Sequence, residues 1–144
     1  MVCELYDVVF PIRKVELAGV DRSDSALRIT EEVVTAYGEV ISQRASFEDD
    51  VKAYVTQVVR EAQWNVHDLN LSGAISCKEN FVVAGNLLNE LDRQGQVALG
   101  ETLQALPDKS HILVLEPGGS RRSKKLMSWR RALVSSGGFA EQGA

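Results

Sequence analysis

Four polar side chains, Asp21, Asp68, Asn86 and Glu116, each close a short, largely apolar run in the 144-residue chain. Carboxylates are acceptors only, so two aspartates placed in this way can take hydrogen bonds from ribose hydroxyls or from a base amino group. Those are the contacts a nucleoside-bearing ligand requires. A different chemistry is concentrated further along. Arg121, Arg122, Lys124, Lys125, Arg130 and Arg131 follow one another with no acid between them. A local patch of that density attracts a polyanion even on an acidic protein. The first four open a helical pattern, where the dipole disfavours each cation by about a few tenths of a kcal/mol. Cations retained there point to an anion at the site, with RNA phosphate the natural candidate.

Each of these residues also has a purely structural reading. Asp21 suits a turn or a helix N-cap, and Asp68 suits a turn that closes a strand. Asn86 and Asn89, with Glu90 close behind, suit the start of a helix. Glu116 precedes Pro117 and is restricted to extended backbone. The basic run suits a solvated helix face. His67 sits within a strand pattern and His111 in a turn, without an orienting carboxylate nearby in sequence, so neither is assigned as a base. Cys77 has only Lys78 to lower its thiol pKa and is not a nucleophile candidate. The apolar periodicity around Trp64 and Trp129 makes them core residues rather than base-stacking platforms.

The elements that must position these groups alternate along the chain. Val15 to Val20 reads as a strand that stops at Asp21, and Ser23 or Asp24 is a plausible N-cap for the helix behind it. Leu27, Val33, Val34, Tyr37, Val40 and Ile41 recur at helical spacing. A second amphipathic helix follows Ser46, with Glu48, Asp49 and Asp50 at its start and Val51, Val55, Val58, Val59 and Ala62 on its buried stripe. Strands are expected near 15–20, 64–67, 81–84 and 112–116, and a loop from Asn70 to Asn80. Leu99, Leu103 and Leu106 mark a helix stopped by Pro107-Asp108. Leu126, Trp129, Leu133 and Val134 line a last helix ended by Gly137-Gly138. The tail, 140–144, carries no core signal and is expected to be disordered. Strand–helix alternation of this kind implies a mostly parallel sheet with helices on both faces. Ligands then sit beyond the carboxyl ends of the strands.

Composition narrows the class. Apolar residues are 44% of the chain and charged residues 25%, with a formal net charge of −4 and a mean hydropathy of −0.11. That is ordinary for one globular domain and argues against disorder. No apolar run approaches the roughly 20 residues of a membrane span, so no membrane association is expected. Cys3 and Cys77 are the two cysteines, and no His or Cys is spaced near them as a metal ligand. A reducing cytoplasm is the expected setting, with no metal. Residues 1–72 carry a balance of −6 and residues 73–144 a balance of +2.

Gly19-Val20-Asp21-Arg22-Ser23-Asp24-Ser25-Ala26-Leu27 resembles the second strand and following helix of class I S-adenosylmethionine-dependent methyltransferases. Asp68-Leu69 resembles that family's third-strand turn, and Phe81-Val82-Val83-Ala84-Gly85-Asn86-Leu87-Leu88-Asn89-Glu90-Leu91 its fourth strand and turn. Ile112-Leu113-Val114-Leu115-Glu116-Pro117-Gly118 is similar to the fifth strand. Its E-P-G ending, with N-L-L-N-E-L, resembles the branch associated with the small ribosomal subunit. The resemblance implies a Rossmann-like α/β fold over residues 1–144 as a single methyltransferase-like core. It implies S-adenosylmethionine as cofactor, held by Asp21 and Arg22 at the ribose, Asp68 and Leu69 at the adenine, and Asn86 near the methionine end. Arg121, Arg122, Lys124 and Lys125 are the matching candidates for substrate or anion binding, and ribosomal RNA is the implied partner. The resemblance implies no dedicated acid or base, because methyl transfer needs chiefly proximity and alignment.

The family pattern is incomplete here. No G-x-G-x-G precedes Val15, and Cys3 to Phe10 corresponds to the end of the family's first helix. The family's central first strand and its last two strands are therefore expected to be missing. Loss of a central strand leaves two sheet edges open to self-association. The alternative reading is a non-enzymatic Rossmann-like module that binds RNA or a protein through its basic helix at 121–131.

Overall fold

The structure is a computed structural model and describes residues 15–137. The expectations for Cys3 to Phe10 and for the tail at 140–144 lie outside these residues. The described residues fall into two compact units, divided between His67 and Asp68.

In the first unit, strand β1 (Ala18–Asp21) leads into α1 (Asp24–Gln43), α2 (Asp49–Glu61) and strand β2 (Gln63–Val66). Ser23 is the N-cap of α1, its hydroxyl accepting from the Ala26 amide at 3.2 Å. The start of α2 has Asp49 and Asp50 in its first turn but no side-chain cap. Acids there complement the helix dipole without closing it. The two strands pair in parallel, with Gly19 opposite Trp64 and Asp21 opposite Val66. Gly19 is required by its partner, since a Cβ there would collide with the Trp64 ring. The apolar interior of this unit is thin. Leu27 is buried, whereas Ile29, Val33, Tyr37 and Val40 form an exposed stripe on α1.

In the second unit, a single turn of helix α3 (Leu69–Ser72) precedes strand β3 (Phe81–Gly85). Helix α4 (Arg93–Gln104), strand β4 (His111–Leu115) and helix α5 (Ser120–Ser135) follow. The loop expected from Asn70 begins instead as this helical turn, because Asp68 caps it by accepting from the Asn70 amide at 2.8 Å. Strands β3 and β4 are parallel, Phe81 opposite His111 through Gly85 opposite Leu115. Their alternation separates two faces. Val82, Ile112 and Val114 turn toward a core of Leu69, Leu88, Leu91, Ala98, Leu99 and Leu103, closed by Leu126, Trp129 and Leu133 of α5. Phe81, Val83, Leu113 and Leu115 point the other way and stay exposed.

The described residues thus form a mixed α/β protein, with two two-stranded parallel sheets among them. The strand-end residues Asp21, Asn86 and Glu116 fall within one residue of where the sequence pattern ends each strand. No helix among the described residues is long and apolar enough to cross a membrane.

Candidate functional site

Asp21 ends β1 and begins a tight turn. Its Oδ1 accepts from the Ser23 amide at 2.7 Å, which presents Ser23 to cap α1. The Asp21 carbonyl accepts from the His67 amide at 2.9 Å. Asp21 is exposed, and its Oδ2 has no hydrogen-bond partner among the described residues. Arg22 follows it on the exposed side. Because β1 and β2 are parallel, their carboxyl ends share an edge, and Asp68 is the second residue past the end of β2.

Asp68 is half-buried and uses Oδ1 to cap α3. Leu69 is 6% exposed and belongs to the core cluster. The expected apolar neighbour of a bound base is therefore occupied in packing. Asn70 ties the same turn to the start of α4: its Oδ1 accepts from the Asp92 amide at 3.0 Å, and its Nδ2 donates to the Glu90 carbonyl at 3.4 Å.

The ends of β3 and β4 meet in a denser arrangement. Asn86 takes a left-handed backbone (φ 51°), and its amide donates to the Leu115 carbonyl at 2.7 Å. Asparagine is among the few residues that enter that region readily. No helix starts at Asn86. The chain turns through Leu87–Glu90 instead, and Glu116 holds that turn. Glu116 accepts from the Leu88 amide at 2.7 Å through Oε1 and from Asn89 Nδ2 at 2.5 Å through Oε2. From α5, Lys125 Nζ donates to the Leu88 carbonyl at 2.5 Å. Leu88 is the most buried large side chain of the described residues, at 1% exposure. Both of its backbone polar groups are thus satisfied by charged side chains, one from the end of β4 and one from α5.

This network redistributes the expected roles. Glu116 has both oxygens engaged inside the protein, and Lys125 is half-buried with its ammonium on a carbonyl. Lys125 was expected to face an anion; the structure spends it on the turn. Arg121, Arg122 and Lys124 remain exposed in the first turns of α5, which has a glycine N-cap, Gly119, and no side-chain cap. The two ion pairs resolved between described residues, Arg28–Asp24 and Lys52–Asp49, do not involve them. Separation along the chain hid the Glu116 and Lys125 contacts from sequence reasoning. The only signal was the joint presence of N-L-L-N-E-L and E-P-G.

An open groove of about 380 Å³ between α4 and α5 is lined by Val97, Gly100, Trp129 and Leu133, with Arg93 and Glu101 among its polar residues. None of the strand-end residues lines it. The Trp129 indole donates to the Gln96 carbonyl at 3.4 Å, which fits its expected place in the packing. Cys77 is a free thiol whose pKa is raised, first by burial and then by the neighbouring Glu79 carboxylate. A raised value keeps it protonated and unreactive near neutral pH.

The chain matches no protein-family model, no curated protein and no solved structure.

Proposed function

We propose that this chain forms the adenosyl-holding part of a class I S-adenosylmethionine-dependent methyltransferase core, Rossmann-like in its strand order, with RNA as the substrate class. The observation that carries this reading is the register of β1 on β2. It brings the end of β1, with Asp21, beside the strand end from which Asp68 follows. Carboxylates suit the ribose hydroxyls and the adenine amino group. Asp21 fits this role best, being exposed with no partner for Oδ2 among the described residues.

When bound, S-adenosylmethionine supplies an electrophilic methyl group to a substrate nitrogen, oxygen or carbon. The residues of this chain orient rather than exchange protons. Asp21 and Arg22 would hold the ribose and Asp68 the adenine, as the resemblance implies, while Asn86 stands at the turn that Glu116 and Lys125 make rigid. A rigid turn suits a transfer that depends on alignment. The setting is a reducing cytoplasm, where Cys77 stays a thiol.

Titration calorimetry with S-adenosylhomocysteine tests the reading. The unmutated chain binds, and Asp21→Ala weakens binding at least tenfold. No heat of binding with the unmutated chain removes the enzyme assignment. RNA binding retained without cofactor binding leaves the non-enzymatic module in its place.

A further inference from the structure

Three cations of the basic run share one face once α5 is laid out at 100° per residue. Leu126, Trp129 and Leu133 lie on the side that joins the core. Arg121, Lys124, Ser128, Arg131 and Ser135 fall within an arc of about 80° on the opposite side, and all five are exposed. Lys125 belongs to neither side in function, because its ammonium is bound to the Leu88 carbonyl. The three cations of the outer stripe span about 15 Å along the helix axis.

We propose that this stripe is a docking surface for the phosphate backbone of single-stranded RNA. The inference rests on the functional reading above for the choice of RNA; the surface itself rests on charge and placement. No ion pair is resolved between these three cations and any described acid. They stand on a chain whose net charge is −4, so the positive surface is a local exception to its overall field. The face carries serines and no large apolar side chain between the cations, so it has nothing to insert into a bilayer. A line of fixed cations tracks a repeating phosphate chain.

Anisotropy of a fluorescein-labelled 12-nucleotide oligouridylate, read between 50 and 200 mM NaCl, tests the surface. The triple variant Arg121→Gln/Lys124→Gln/Arg131→Gln should lower the salt slope by about 2, at roughly 0.7 per lost phosphate contact on a single strand. Its affinity at 50 mM salt should fall more than tenfold. Arg121→Lys/Arg131→Lys, which keeps the charge, should retain the slope, and Lys78→Gln/Lys109→Gln should bind as the unmutated chain does. A slope unchanged in the triple variant overturns the proposal. So does an equal loss in the Lys78/Lys109 variant, tighter binding of oligothymidylate than of oligouridylate, or binding to phosphatidylserine vesicles without binding to RNA. Calorimetry with S-adenosylhomocysteine separates the two readings. RNA failure with cofactor binding intact refutes the stripe alone, and cofactor failure with the stripe's salt dependence intact refutes the enzyme alone.

Discussion

Removing the Glu116 carboxylate should unlock the second unit from the inside. In the folded chain Oε1 takes the Leu88 amide at 2.7 Å, and Leu88 is 1% exposed. Glu116→Ala deletes an acceptor with full charge and strands that N–H. A lost bond to a charged group and the stranded donor together are worth about 2–4 kcal/mol. The second bond, to Asn89, is at an exposed residue and adds little. Glu116→Gln keeps an amide oxygen for Leu88 and loses only the charge, so its cost is about 1 kcal/mol. The assay is urea unfolding followed by tryptophan fluorescence. Trp64 belongs to the first unit and Trp129 to the second, so a Trp64→Phe background leaves Trp129 as the sole reporter. With a slope of about 1.5 kcal/mol per M, the alanine variant moves the midpoint down by about 2 M and the glutamine variant by less than about 1 M. Alanine and glutamine variants with the same midpoint would refute the account. It would mean that Leu88 does not depend on this acceptor.

Other consequences are equally direct. Gly19→Val forces a branched side chain into the Trp64 ring and should destabilise the first unit by about 1–3 kcal/mol, read from Trp64 fluorescence in a Trp129→Phe background. Asp68→Ala removes the cap of α3 at a cost of about 1 kcal/mol and should speed hydrogen exchange at the amides of Asn70 and Ser72. The Cys77 thiol is held protonated by burial and by Glu79, so iodoacetamide should label the folded chain more slowly than the urea-unfolded chain at the same pH, and Glu79→Gln should speed labelling. The sign for stability follows: the unfolded chain gives up this proton first, so the contribution is intact below the ordinary thiol value of 9.0 and is lost as pH rises through the raised one. A stability profile that rose in that alkaline range in the wild type, but not in Cys77→Ser, would contradict it.

The strands were legible because parallel pairs are made of short apolar runs, and β3 and β4 are the clearest of these in the chain. Their ends fall within a residue of the polar groups that stop them. The cap of α1 was readable to within one residue, Ser23 or Asp24, since local hydrogen bonding is encoded within three residues, and the structure selects Ser23. The turn at α3 looked like loop because Gly73 and two serines follow Asn70, although its cap, Asp68, is only two residues away. What else escaped needs two distant segments to meet. The role of Lys125 was invisible for that reason. Among four adjacent cations of similar chemistry, the one that faces inward is chosen by the position of Leu88, 37 residues earlier. Asn86 illustrates a different limit: its type suits both a helix cap and a left-handed turn, and the partner strand decides between them.

The outward face of the β3–β4 pair sets a trap for a common solution test. Phe81 and Leu115 are 61% and 53% exposed, and Val83 and Leu113 stand beside them. A hydrophobic dye such as ANS brightens on contiguous apolar surface, a signal usually taken to mark a loosened, partly folded state. The second unit presents such a surface while its own core is packed. Dye fluorescence from a fresh preparation therefore describes the native molecule, and only a rise above that baseline reports loss of structure.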